Sequence, residues 1–212
     1  MNWRDDSGLS VTELLIVVTL LGVVLAAGLM VAFAADSMTD SLSARAMATD
    51  EAQVFLDTVG KELRQADATA TLTQSGVVGV GAFATIGDRD ATFFVDLNHD
   101  GYVHMLHYYV SNGSVYRTDT VSTTNSWPGT LAWGATSAPK RVIQKIDPTW
   151  NGSIFTFLTN DSLPPTQITQ ASDMDSITAV TVDMVNSQTW RTRDATSAGE
   201  ITVRIRAIGS AF

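Results

Sequence analysis

The chain has 212 residues, carries a formal net charge of −9 and contains no cysteine. Its 22 Asp and Glu residues against 13 Lys and Arg residues argue against a nucleic-acid surface, which needs clustered cations to neutralise phosphates, so no nucleic-acid partner is expected. The lack of cysteine excludes thiol catalysis, disulfides and zinc–cysteine sites.

The N-terminus consists of a short polar segment, residues 1–8, followed by an apolar run. Leu14 to Ala35 contains no charge over 22 residues, which as an α-helix measures about 33 Å and matches a bilayer core. Three interpretations are open: a signal peptide cleaved after Ala34, a plain membrane anchor, or a helix kept whole after a cut at Gly8. In the third, Glu13 at the start of the run has a function.

Residues 36–68 are polar but show helical periodicity. No proline occurs between residues 9 and 68, so the membrane helix (9–35) is predicted to continue without a break into a stem helix (36–68). The whole helix would measure roughly 90 Å. The apolar and small residues that recur every three or four positions predict an amphipathic stripe formed by Leu42, Ala46, Thr49, Ala52, Leu56, Val59, Leu63 and Ala66.

From about residue 77 the sequence is typical of β-structure. Segments rich in β-branched and aromatic residues predict strands at 91–97, 102–110, 114–121, 141–146, 153–158, 177–185 and 200–208. Asn-Gly pairs at 112–113 and 151–152 predict turns, and 122–140 and 160–176 predict long loops. The short connections favour antiparallel pairing. The expected fold class is α+β, a long N-terminal helix packed on a mainly antiparallel β-sheet head formed by residues 69–212.

The sequence GLSVTE at residues 8–13, followed by the apolar helix, resembles the leader of type IV pilins and type II secretion pseudopilins. FLDTVGKELRQADA at 55–68 is similar to the end of the stem helix in J-type minor pseudopilins and W-type minor pilins. The segments FFVDLNHDGYVHMLHYYVSNGSVYR at 93–117 and ITAVTVDMV at 177–185 resemble the same group. The resemblance covers most of the chain.

The resemblance implies a structural subunit of a filament and a processing step. A prepilin peptidase would cut between Gly8 and Leu9, the new amine of Leu9 would be methylated, and Glu13 would be the fifth mature residue. The implied partners are other pilin or pseudopilin subunits, the inner-membrane assembly platform and membrane lipid. The implied location is the cytoplasmic (inner) membrane, crossed once, with the head outside the cytoplasm and incorporated in an extracytoplasmic filament.

Electrostatics give Glu13 a role in such an assembly. A carboxylate deep in a transmembrane helix costs roughly 2.5–3.5 kcal/mol on insertion scales. Pairing with the cationic amine of Leu9 on a neighbouring subunit would offset much of that desolvation. A subunit would then dock at the stagger that brings amine and carboxylate together.

The sequence DLNHDG at residues 96–101 alternates oxygen donors before a glycine. Asp96, Asn98 and Asp100, with the backbone carbonyl of Tyr102, have the spacing with which calcium loops begin. Position twelve of this loop is His107 rather than the glutamate of an EF-hand. Calcium is therefore one interpretation and a hairpin loop stabilised by Asx turns is the other; no other cofactor is indicated.

Neither a P-loop nor a dinucleotide fingerprint occurs in a suitable setting, and no enzymatic activity is expected. Two function classes remain. The first is a minor pilin or pseudopilin that assembles through its N-terminal helix. The second is a single-pass membrane-anchored or secreted β domain that binds a ligand.

Overall fold

A computed structural model describes residues 10–66, 72–74, 77–79, 82–97, 102–124, 132–159, 166–168, 177–191 and 193–205. One helix, α1, spans Val11–Gln65 and precedes the strands. The strands are β1 Leu72–Gln74, β2 Val77–Gly79, β3 Phe83–Gly87, β4 Asp90–Val95, β5 His104–Ser111, β6 Ser114–Ser122, β7 Trp133–Thr136, β8 Lys140–Ile143, β9 Phe155–Thr159, β10 Thr166–Ile168, β11 Ala179–Trp190 and β12 Arg193–Arg204. The predicted α+β class is confirmed.

Helix α1 is unbroken over 55 residues, or about 82 Å at 1.5 Å per residue. The absence of proline and the isolated glycines allow the apolar run to continue directly into the stem, as predicted. The helix ends before Ala66, whose backbone is extended (φ −59°, ψ 121°) and pairs with Val95 of β4. The last two residues of the predicted stem, 67 and 68, lie outside the described residues.

All described strand pairs are antiparallel. One sheet has the order β3-β4-β5-β6-β7, with β8 also paired to β6, and a second has the order β10-β9-β11-β12. Strands β1 and β2 form a separate ribbon. The two segments predicted as long loops, 122–140 and 160–176, contain the short strands β7 and β10, which the Ser, Thr and Pro content of the sequence concealed.

The two Asn-Gly pairs have different outcomes. Asn112 and Gly113 both have positive φ, 50° and 72°, and connect β5 to β6 as the predicted hairpin turn. Asn151 and Gly152 instead lie in the irregular connection between β8 and β9. The added Cβ of any other residue at 152 would lie 2.6 Å from the ring of Trp150.

The second half of α1 packs on both large sheets and forms one core with them. Its main neighbours are β11 and β12, and two glycines allow a close approach: a Cβ at Gly199 would lie 2.7 Å from Cδ1 of Leu56, and a Cβ at Gly60 would lie 3.0 Å from Cδ1 of Ile201. The largest buried core side chains include Phe55, Leu63, Phe83, Phe93, Leu106, Tyr108, Ile143, Ile154, Phe155 and Met184.

The predicted stem stripe is correct only in its second half. From Ala52 onward its members are buried, but Leu42, Ala46 and Thr49 are exposed, and the buried positions at that level are Ala44 and Ala48. The sheet approaches the helix over these alanines because they are small. Periodicity alone favoured Leu42 because it is more apolar than its neighbours, although its face of the helix does not touch the head.

The two leucines of the stem provide a matched test of this packing. Leu63→Ala, at a side chain with 0% exposure, should lower the free energy of unfolding by about 2–5 kcal/mol because it leaves a cavity. Leu42→Ala, at a side chain with 57% exposure, should change it by less than about 0.5 kcal/mol. Urea denaturation of the full chain in detergent measures both; equal losses would contradict the packing described.

Candidate functional site

The apolar run of α1, residues 14–35, is not buried against the described residues of the head. An 18-residue window of this helix has a mean hydropathy of 2.9 and is 0% buried. Large apolar side chains from Val11 to Phe33 are each at least 56% exposed. Among the described residues, α1 is the one helix long and apolar enough to cross a membrane. This is consistent with a single-pass membrane anchor.

Glu13 is part of the N-terminal cap of this helix. The Ser10 hydroxyl accepts a hydrogen bond from the backbone N–H of Glu13 at 3.3 Å, and the Glu13 carboxylate accepts one from the Ser10 N–H at 3.0 Å. This is a capping box, which satisfies two of the free N–H groups at the helix start. Sequence analysis missed it, although the pattern Ser-x-x-Glu before an apolar run signals it.

The position of Glu13 gives its charge a second effect. The carboxylate lies in the first turn, at the positive end of the helix macrodipole, where a negative charge is stabilising. The side chain is nevertheless exposed and open to a further cation. Gly8 and Leu9, where cleavage is predicted, lie outside the described residues.

Three acidic residues attach the stem to the head. Asp40, Glu51 and Glu62 are separated by 11 residues each, about three helical turns, so they lie along one face of α1. Each carboxylate contacts a different part of the head: the β11–β12 turn, the middle of β11, and the β5–β6 pair. Sequence analysis did not identify this set, although the 11-residue spacing was visible.

Glu62 lies at the centre of a polar network inside the core. Its carboxylate accepts a hydrogen bond from the Tyr108 hydroxyl and pairs with the Arg117 guanidinium at 2.9 Å. Arg117 also lies 3.9 Å from Asp119, which in turn lies 3.0 Å from Nδ1 of His104. Burial, followed by the charge and hydrogen bond of Glu62, raises the pKa of Tyr108 far above its ordinary value.

Glu51 joins the helix to two strand segments. One carboxylate oxygen accepts the backbone N–H of Gln144 at 2.7 Å, and the other accepts the Asn186 amide at 3.1 Å and the Gln188 amide. Asn186 has 0% exposure and also donates to the Ala48 carbonyl at 2.9 Å. These bonds satisfy polar groups that the helix would otherwise cover without partners.

An open cleft of about 460 Å³ lies beside this network, between the helix and β8. Its walls combine apolar residues such as Val54, Phe55 and Val142 with Glu62 and three cations, Arg117, Lys140 and Arg141. Arg117 and Lys140 are directly opposite on neighbouring strands, where like charges repel. The cleft is therefore more positive than an average surface of this acidic chain.

The proposed calcium loop is described only at its ends. Asp96 follows β4 and Tyr102 precedes β5, whereas Asn98 and Asp100 lie outside the described residues. Within the described part of the chain, no three His, Cys, Asp or Glu residues are grouped so as to hold a metal. His104 and His107 contact Asp119 and Asp90, respectively, from opposite faces of β5. Calcium binding thus stays a prediction.

Comparison with known proteins identifies no relative. No family model, curated protein or solved structure matches this chain significantly.

The Tyr108 hydroxyl predicts a pH dependence. Because its pKa is raised in the folded state, the folded chain keeps this proton while the unfolded chain loses it above pH 10.0, the ordinary tyrosine value. The retained proton of Tyr108 should therefore lower the free energy of unfolding by about 1.4 kcal/mol for each pH unit above that value. Tyr108→Phe should remove this part of the slope in urea titrations, and Tyr109→Phe is the matched control. An unchanged slope in Tyr108→Phe would contradict the geometry.

Calcium binding has a direct thermodynamic test. If the 96–102 loop holds calcium, a concentration a hundredfold above the dissociation constant should stabilise the folded chain by about 2.7 kcal/mol. The full chain should then melt at a higher temperature in calcium than in chelator, and Asp96→Ala with Asp100→Ala should abolish the difference. Magnesium should substitute poorly because it requires a smaller octahedral site. Identical melting curves in calcium and in chelator would contradict calcium binding and leave the interpretation of a loop stabilised by Asx turns.

Proposed function

We propose that this chain is a minor pilin or pseudopilin, a structural subunit that is cut between Gly8 and Leu9 and assembles into a filament through α1. The observation that carries the proposal is the division of α1. One continuous helix has a bare apolar half, with Glu13 in its first turn, and a second half fixed to an α+β head.

The unbroken helix supports retention of the apolar half after processing. A signal peptide that is removed near Ala35 has no need to continue as one rigid helix into the core of the mature protein. Here the helix continues through Asp36 and Ser37 to residues buried under the sheet. A cut at Gly8 preserves this helix, whereas a cut before Ala35 removes nearly half of it.

The chemistry of Glu13 supports a role in docking. Its bond to the Ser10 N–H uses one carboxylate oxygen, and the exposed group can still face a cation from outside the chain. In a membrane, the methylated amine of Leu9 on a neighbouring subunit supplies that cation. The pair lowers the desolvation cost of both charges and fixes the axial stagger of the two helices.

The exposed side of the stem supports packing between subunits. Met38 and Leu42 are 65% and 57% exposed and continue the apolar surface beyond the run that ends at Ala35. These side chains do not stabilise the isolated fold, and a neighbouring helix would bury them. In this proposal the subunit is inserted in the cytoplasmic membrane with its head outside, is processed by prepilin peptidase, and contacts the assembly platform and other pilins.

The cleft beside Glu62 favours a second candidate, a membrane-anchored β domain that binds a ligand. Lys140 and Arg141 are exposed on β8 next to the apolar wall formed by Val54 and Val142. This combination suits a small ligand with one anionic and one apolar part. An anchored binding domain needs neither a cut at Gly8 nor a specific contact of Glu13, so the next two experiments separate the candidates.

Processing is tested by mass. Co-expression with a prepilin peptidase should remove eight residues and leave 212 − 8 = 204, starting at Leu9. The expected cut follows from the glycine at position 8 before a helix that has no later break. Intact-mass analysis of the membrane-extracted protein measures it, and Gly8→Leu is the control that should stay uncut. A mature chain that begins at Ala35 would exclude assembly through α1.

Assembly is tested at Glu13. Glu13→Gln keeps the capping box, because glutamine also accepts a bond from the N-cap N–H, but removes the charge. Its recruitment by partner subunits should fall by about tenfold or more, whereas cleavage and insertion stay unchanged. Co-purification with the filament measures recruitment. Ser10→Ala, which removes the cap hydroxyl and keeps the carboxylate, is the matched control; equal recruitment of Glu13→Gln and wild type contradicts the charge pair.

A further inference from the structure

The hairpin formed by β11 and β12 reaches down the helix to the end of the apolar run. Arg191 in its turn lies 3.2 Å from a carboxylate oxygen of Asp40 and 3.7 Å from one of Asp36. Arg193 donates a hydrogen bond to the Ser37 hydroxyl at 2.6 Å. These three helix residues follow Ala35 directly, so the hairpin tip is held beside the first turn and a half beyond the apolar run.

This attachment sets the depth of the tip in a membrane. Residues 36 to 40 lie only about 1.5–7.5 Å beyond Ala35 along the helix axis. The headgroup layer of a bilayer is about 5–7 Å thick on each side of the hydrocarbon core. When residues 14–35 span that core, the tip therefore lies at the level of the headgroups.

The side chains of the tip match that layer. Trp190 and Arg193 are cross-strand partners, so they lie on the same face of the hairpin, and Trp190 is 37% exposed. Tryptophan concentrates at membrane interfaces, where its ring is partly apolar and its N–H stays wet. Arg193 is exposed, and no carboxylate of the described residues lies within ion-pair distance of its guanidinium. Its free donors fit a phosphate oxygen.

We infer that the β11–β12 tip is a phospholipid-binding contact, in which Arg193 binds a lipid phosphate and Trp190 lies among the headgroups. The contact orients the head against the membrane surface while the subunit is anchored. Arg191 has a different role: its ion pairs with Asp36 and Asp40 hold the tip beside the helix. The contact depends on the membrane span and is independent of filament assembly.

The experiment uses the full chain in vesicles of phosphatidylcholine and phosphatidylglycerol. The chain has no cysteine, so a fluorophore on Thr192→Cys, between Arg191 and Arg193 in the sequence, is a unique label. Lipids with a nitroxide on the headgroup quench only nearby fluorophores. Thr192→Cys should lose most of its fluorescence. Lys140→Cys should keep most of it, because β8 borders the cleft at Val54, 18 residues beyond Asp36, or roughly 27 Å along the helix.

Two substitutions separate binding from mere proximity. The tip lies to one side of the helix, so binding of the tip to headgroups tilts the helix toward that side. When this binding is lost, the tilt is released and the label on the tip is quenched less. Arg193→Ser should lower the ratio of lipid-bound to unbound tip about fivefold, which is the effect of one arginine at an anionic surface. Adding Trp190→Ser should lower this ratio further. Arg141→Ser, an exposed arginine on β8, is the matched control and should change nothing.

Alkaline extraction and circular dichroism check that these variants stay inserted and folded. The inference is overturned if Thr192→Cys is quenched as little as Lys140→Cys. It is equally overturned if Arg193→Ser with Trp190→Ser leaves the quenching at the wild-type level, since the tip would then be near the lipid without binding it. Neither result bears on cleavage at Gly8 or on recruitment through Glu13.

Discussion

The structure depends on the attachment of one long helix to the head through three carboxylates. Asp40, Glu51 and Glu62 recur every 11 residues, so they stay on one face for about 33 Å of helix. The apolar contact at Ala44 and Ala48 is thin and would tolerate sliding or rotation of the helix. The three carboxylates do not tolerate such a movement, because each bonds a defined partner. Any shift of the helix would leave buried polar groups unpaired.

The same attachment explains why α1 has two halves with different surroundings. Within the described residues, the contacts of the head with the helix end at the Asp36–Asp40 turn, and the apolar residues before it have no described partner. A longer head would cover that surface, and a looser attachment would let the head move along it. Fixing the head at this level leaves the apolar half free for lipid or for other helices and brings the β11–β12 tip to its boundary.

Glu13 has an observed role in the helix cap and a proposed role in assembly. The capping box stabilises the helix start within one chain, using a single carboxylate oxygen and the Ser10 hydroxyl. Its side chain stays exposed, so the cap leaves the carboxylate accessible to the proposed intermolecular contact. The buried acid Glu62 differs, because its carboxylate is already bonded to Tyr108 and Arg117. Since Glu62 is buried, removing its carboxylate would strongly destabilise the fold. Glu62 thus belongs to the buried attachment of the stem, whereas the Glu13 side chain remains exposed on the helix.

The sequence by itself determined the long helix, the β-rich head and its antiparallel class, because proline-free periodicity, apolar length and β-branched alternation are local properties. It also singled out Gly8 and Glu13, because GLSVTE before the apolar run resembles a pilin leader. Only the tertiary structure decided that Leu42 faces outward while Ala44 and Ala48 are buried, that β7 and β10 lie in Ser- and Thr-rich segments, and that Arg191 reaches Asp40. The helix contacts depend on partners 138 and 151 residues away in sequence, and β7 and β10 depend on pairing with β6 and β9. Local propensity contains no information about which surface a residue will meet.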